Sequence, residues 1–187
     1  MTIYDLNKYC VKGDLQTVKD SLKKFKYEMH HIFQLTLLAC SYNKESIVKY
    51  ILENHITSKD INYYSLFSSA CYDQSLDVME YLIKHKNIDV TYASCEIFRQ
   101  ACEYGKYNTA EFLIHHPNID PTIQDNYALR NAYLNYHTDI VDLLLNDVRV
   151  LRSIDSRILN FLPYLKSDII RIHKIDSKDF KKFMKII

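Results

Sequence analysis

Apolar side chains in this chain recur as pairs of short runs at helical spacing. Leu129 and Ala132 begin one pair, and after a polar break Ile140, Val141, Leu144 and Leu145 return on one helical face. Thirty-one residues earlier the same pattern reads Phe98, Ala101-Cys102, Thr109-Ala110 and Leu113-Ile114. Another step back gives Phe67, Ala70-Cys71, Val78-Met79 and Leu82-Ile83, and a third gives Ala39-Cys40, Ile47-Val48 and Ile51-Leu52. Thirty residues before that stand Leu6, Tyr9-Cys10, Val18 and Leu22. The register predicts five helix pairs that bury Leu6, Ala39, Val48, Leu52, Ala70, Met79, Leu82, Ala101, Leu113, Ala132, Val141 and Leu144.

The break within each pair has its own chemistry. The only two glycines, Gly13 and Gly105, share one repeat position, where a first helix needs a left-handed residue before the chain turns back. Asn43, Gln74 and Tyr136 hold that position in the other copies, so a strained or differently shaped turn is expected there. Between pairs, Asn87-Ile88-Asp89-Val90-Thr91 and Asn118-Ile119-Asp120-Pro121-Thr122 recur as connecting loops, with Asp and Pro as turn formers.

On these residues the chain resembles the ankyrin family, whose repeat of about 33 residues carries a T-P-L-H-x-A signature, a β-turn and two helices. Tyr127-Ala128-Leu129-Arg130-Asn131-Ala132 stands where the signature would be, and the run from His137 to Leu145 is close to the second-helix pattern. No copy keeps the full T-P-L-H. The resemblance implies an all-α ankyrin-repeat solenoid: a stack over residues 1–150, with repeats near 4–25, 33–55, 65–86, 96–117 and 127–147. Residues 151–187 are expected to form a degenerate capping repeat and a basic C-terminal helix. In that tail Ser167-Asp168-Ile169-Ile170 echoes Thr138-Asp139-Ile140-Val141, while Pro163 interrupts the first helix of the copy. The closing helix, over residues 176–187, is expected to turn Phe180, Phe183, Ile186 and Ile187 inward. The short repeat and the Asn, Ile, Lys and Tyr richness also resemble the divergent ankyrin families of giant DNA viruses, Mimivirus-like, with amoebal proteins the next nearest source.

Two glycines and three prolines in 187 residues exclude a turn-rich β architecture. The net charge of +1 is unevenly spread. Residues 87–147 hold three Lys/Arg against nine Asp/Glu, net −6, and residues 150–187 hold nine against four, net +5. An acidic middle disfavours nucleic acid as the partner. No apolar run approaches the ~20 residues of a bilayer span, so no membrane contact is expected. Five cysteines without a C-x-x-C pair fit a reducing compartment, hence an intracellular, cytoplasmic place, the host cytoplasm for a viral protein.

Cys10, Cys40, Cys71 and Cys102 share one repeat position, which suggests a metal or redox array. Helices of neighbouring repeats lie about 8–10 Å apart, too far for disulfides, so buried reduced thiols are the expectation. His30-His31 and His115-His116 are adjacent pairs without finger spacing, and neighbours on a helix point apart. Asp139 with Asp142 and Asp176 with Asp179 read as solvated faces. No nucleophile motif and no glycine-rich phosphate loop is present, so no enzyme activity, cofactor or metal is expected.

What the resemblance implies for function is a non-enzymatic scaffold that binds a partner protein, as a monomer, through the concave face of the stack. The second and third residues after each Ala rotate by about 200–300° from it and fall on that face. They read Val11-Lys12, Ser41-Tyr42, Tyr72-Asp73, Glu103-Tyr104 and Leu134-Asn135, with Tyr64, Tyr92, Gln124 and Asn126 on the preceding loops. Tyrosine suits a binding surface because it offers a large contact area at low entropic cost. The alternative is a substrate adaptor for ubiquitin-ligase machinery, with the tail as the recruiting element. Residues 158–163 faintly resemble the F-box-like terminus of poxvirus ankyrin proteins.

Overall fold

A computed structural model of the chain describes residues 2–56, 62–86 and 88–186. Those residues hold fourteen α-helices and no strand, as an all-α ankyrin-repeat solenoid requires. They fall into two compact units, Met1–Asp89 and Val90–Ile187.

The first unit contains three helix pairs: α1 (Ile3–Lys12) with α2 (Leu15–Lys24), α3 (Met29–Ser41) with α4 (Glu45–Asn54), and α5 (Tyr63–Tyr72) with α6 (Leu76–Lys86). First helices pack side by side, α1 on α3 and α3 on α5, and second helices do the same, α2 on α4 and α4 on α6. The second unit repeats the plan with α7 (Tyr92–Glu103) and α8 (Tyr107–Ile114), then α9 (Ile123–Leu134) and α10 (Thr138–Leu145). It closes with α11 (Val148–Ser153), α12 (Ser156–Phe161), α13 (Leu165–His173) and α14 (Phe180–Ile186). All twelve residues that the register assigns to the interior are buried. Full burial of each large apolar side chain contributes about 1.5–3 kcal/mol.

One turn joins the two helices of every pair. The backbone is left-handed at Gly13 (φ 80°), Asn43 (53°), Gln74 (58°), Gly105 (69°) and Tyr136 (61°). One residue later an amide closes the same six-to-one hydrogen bond: Asp14 to Tyr9, Lys44 to Ala39, Ser75 to Ala70, Lys106 to Ala101 and His137 to Ala132, all at 2.8–2.9 Å. This is a Schellman ending, which satisfies carbonyls the helix leaves open. Of the strained or differently shaped turn expected at Asn43, Gln74 and Tyr136, the shape is unchanged and the strain is present: the same bond holds non-glycine residues in the left-handed region. Asn43 puts the geometry to use. Its amide donates to Asp77 at 2.8 Å and its oxygen accepts the Val78 N–H at 3.3 Å, tying one pair to the next.

Neighbouring copies are also linked through the residue that follows the turn. The Ser75 hydroxyl donates to the Ser41 carbonyl (3.1 Å), and the His137 Nε2–H donates to the Glu103 carbonyl (3.0 Å). Both carbonyls belong to the second residue after the repeat alanine. Between pairs, Asp120 accepts the Thr122 N–H at 2.9 Å and its hydroxyl at 2.7 Å, the turn expected of that loop. Asn87, which opens the equivalent loop, lies outside the described residues.

In the tail, Pro163 falls between α12 and α13, as its missing N–H demands. The α13 helix packs on α10 as α10 packs on α8. Arg171 on α13 grips Asp142 on α10 at 2.6 and 3.1 Å, and His173 Nε2 meets the Leu145 carbonyl at 2.9 Å. The closing helix begins at Phe180, later than expected. Phe180 is buried and Phe183 stacks near His173, whereas Ile186 is exposed instead of turned inward. Ile187 lies outside the described residues.

Candidate partner-binding surface

The first helix of each copy ends in the residues that the register assigns to a binding face. In the first unit, Lys12, Tyr42, Tyr72 and Asp73 are exposed, Tyr42 by 51% and Tyr72 by 59%. In the second unit, Tyr104 (56%) and Asn135 are exposed, as are Tyr92 at the start of α7 and Gln124 at the start of α9. A helix end carries its side chains clear of the next pair because the chain turns back just beyond, and this is why aromatic residues can stand in solvent there.

Three expected positions are different. Asn126 is buried, 2% exposed, and accepts the Ser153 hydroxyl at 2.8 Å, so it cannot meet a partner. The cause is a left-handed run at Gln124 (φ 53°), Asp125 (60°) and Asn126 (56°), which turns the chain inward before the right-handed helix begins at Tyr127. Cys95, thirty-one residues earlier, is left-handed too and buried. Tyr64 is half-buried with its hydroxyl oxygen shielded from water. Glu103 is half-buried and accepts the Tyr127 hydroxyl at 2.8 Å.

Around Glu103 the second unit builds a polar cluster that the repeat register does not reveal. Arg99 donates to Gln124 Oε1 at 2.9 Å and sits 4.9 Å from the centre of the Tyr127 ring. The hydrogen bond to Glu103 holds the Tyr127 hydroxyl above the usual phenol range. Glu103 and Gln124 are thus engaged within the unit, leaving Tyr104, Tyr92 and Asn135 as its outward-facing candidates.

A groove of about 440 Å³ opens in the second unit between α9–α10 and the α12–α13 corner. Leu134, Tyr136, Phe161 and Tyr164 line it, all exposed, and Asp142, Asp168 and Arg171 form its polar edge. Asp142, expected to be simply solvated, holds Arg171.

The cysteines at the shared position are buried free thiols. Burial pushes Cys10 and Cys40 up to about 12 and raises Cys71 and Cys102 as well. They stay protonated in the folded chain, while the unfolded chain ionises its thiols from about pH 9. Their contribution to stability is therefore full below about pH 9 and is lost as pH rises toward about 12. Ellman's reagent at pH 8 is expected to leave the native protein almost unlabelled and to titrate all five cysteines in guanidinium. Rapid labelling of the native protein would contradict this placement.

Glu28, His30 and His31 bring ligand atoms within 4.8 Å of one another, so these adjacent histidines do not point apart. His30 and His31 stand in the first turn of α3, and Glu28 is its N-cap residue. The positive end of a helix dipole is a poor place for a cation. No described helix is long and apolar enough to cross a membrane.

Residues 36–125 match the family model of ankyrin repeats, in three copies. No curated protein and no solved structure gives a significant match to the chain. The matched stretch covers the copies with the best-kept alanine and cysteine positions, Ala39-Cys40, Ala70-Cys71 and Ala101-Cys102. Residues 36–125 are ankyrin repeats, and the chain is an all-α repeat protein built with them.

Proposed function

We propose that this chain is a non-enzymatic scaffold that recognises one partner protein through the ends of its first helices. Ankyrin repeats are protein-interaction modules, and that is the general basis for the reading. The observation that carries it is the repeated exposure of tyrosine at these ends, Tyr42, Tyr72 and Tyr104, each more than half exposed. Exposed rings have an apolar body to desolvate and a hydroxyl to satisfy, which is what a contact surface uses. Lys12, Tyr92 and Asn135 extend the surface within their own units, and Asp73 supplies a further polar group. A monomeric protein in a reducing cytoplasm, of the host if the source is viral, is the setting that suits these free thiols.

The test is Tyr42→Ala, Tyr72→Ala and Tyr104→Ala, made singly, with the native partner captured and identified from the source cell. Each change is expected to alter stability by no more than about 0.5 kcal/mol. At least one should weaken capture ten-fold or more. Unchanged capture by all three would place the interface elsewhere.

The adaptor reading differs only in giving the tail a second partner. Ile158, Leu162, Leu165 and Ile169 are buried, so deleting the tail would strip the second unit of core. Exposed Phe161 and Tyr164 are the better probes of that role.

A further inference from the structure

We infer that the groove between α9–α10 and the α12–α13 corner is a second docking surface, shaped for a peptide segment in which apolar side chains are followed by basic ones. Its whole lining, from Tyr133 to Arg171, lies beyond the residues recognised as ankyrin repeats, and it does not depend on the tyrosine face proposed above.

Exposure is the first argument. Leu134 (51%), Tyr136 (88%), Phe161 (52%) and Tyr164 (70%) line a single groove. Scattered exposed hydrophobes are ordinary, but large ones gathered in one concavity mark a place where something is covered. The volume of about 440 Å³ takes a few large side chains, not a whole domain.

The walls are also fixed in advance. The Tyr164 N–H donates to the Tyr133 hydroxyl at 3.1 Å, tying the start of α13 to α9. Arg171 holds Asp142 through two bonds and stands 3.5 Å from Asp168, and Leu162 and Leu165 anchor the corner from below. A preformed groove loses little entropy on binding.

Charge gives the peptide its direction. Asp142 also lines an adjoining hollow with Tyr107, Asp139, Leu143 and Asn146, and the Tyr107 hydroxyl donates to Glu111 at 3.0 Å. The two hollows together are lined by Asp139, Asp142 and Asp168, and Glu111 adjoins them through Tyr107. Against the three lining carboxylates stands one lining cation, Arg171, with Arg130 beside the groove at 6.0 Å from the Phe161 ring centre. Neither cation lines the adjoining hollow, which leaves Asp139, with Glu111 beside it, as an acidic end. Apolar residues would fill the space among Leu134, Phe161 and Tyr164, and lysine or arginine would follow toward Asp139.

A random peptide library displayed on phage, selected on the full chain and counter-selected on the Tyr164→Glu variant, tests this directly. Enriched sequences should pair aromatic or aliphatic residues with neighbouring Lys or Arg. A fluorescein-labelled copy of the best one should lose about ten-fold in affinity on Leu134→Ser or Tyr164→Ala. On Asp139→Lys it should lose about three-fold or more, an effect that salt reduces. All of these side chains are half or more exposed or stand at the surface, so circular dichroism should be unchanged. Tyr42→Ala and Tyr72→Ala should not affect this peptide, which separates failure here from failure of the tyrosine face. Enrichment of acidic peptides, no enrichment over the counter-selected variant, or equal binding to Tyr164→Ala would overturn the proposal.

Discussion

Gly105→Ala is expected to lower the unfolding free energy by about 3 kcal/mol, whereas Gly13→Ala, at the same turn of another copy, should lower it by only about 1 kcal/mol. Both glycines are left-handed, so both pay the steric cost of a Cβ in that region. They differ in what the new atom meets. At Gly105 it would stand 2.6 Å from His137 Cε1 and 2.8 Å from Nδ1. That ring cannot swing away without giving up its bond to the Glu103 carbonyl. At Gly13 the nearest atom is Cδ of Lys44 at 3.3 Å, the middle of a flexible chain that can move aside. Urea denaturation of Gly105→Ala, Gly13→Ala, His137→Ala and the double variant Gly105→Ala/His137→Ala separates the effects. The double variant should be more stable than the sum of the single losses, because the clash disappears with the ring. Equal losses at the two glycines would show that backbone conformation alone sets the cost.

That contrast also shows what was legible in the sequence. The repeat alanines, the helix pairs and the interior residues follow from apolar spacing, because a face that recurs every thirty-one residues has only one way to be buried. The turn was half legible. Glycine at 13 and 105 pointed to a left-handed residue, but Gln74 and Tyr136 adopt it too, held by a backbone bond that carries no side-chain signature. Asn126 departs from its expected place because this loop turns inward, whereas a connecting loop ordinarily faces solvent. Asp125 and Asn126 are among the residues that tolerate left-handed backbone, and reading them so would have suggested the inward turn. The Arg171–Asp142 pair was within reach. The echo of Thr138-Asp139-Ile140-Val141 in Ser167-Asp168-Ile169-Ile170 has an offset of twenty-nine, and the same offset carries Asp142 onto Arg171. Opposite charges at one position of adjacent second helices are a contact, not two solvated faces. The groove was not legible, because it depends on how α12 and α13 bend around Pro163, which spacing does not report.

Cys71→Arg should cost about 4 kcal/mol or more and leave little native protein at 37 °C, while Tyr72→Arg, one residue along, should change stability by no more than about 0.5 kcal/mol. Cys71 is 3% exposed on α5, which packs against α3 on one side and α6 on another. A guanidinium there must lose its hydration among apolar neighbours or force the helices apart, and either is among the few ways a single substitution can be severe. Tyr72 stands 59% exposed, where an arginine meets water and loses only the ring's local contacts. Cys71→Ala sets the scale for the thiol's packing alone, about 1 kcal/mol. Thermal melts followed by circular dichroism should therefore rank the chains as parent and Tyr72→Arg together, Cys71→Ala a little below, and Cys71→Arg far lower or unfolded. The parent's melting temperature should be unmoved by reductant or chelator, since the thiols act as small apolar groups. A chelator-sensitive melt would mean that a metal holds the thiols, and a severe Tyr72→Arg beside a mild Cys71→Arg would put the helical register wrong by one residue.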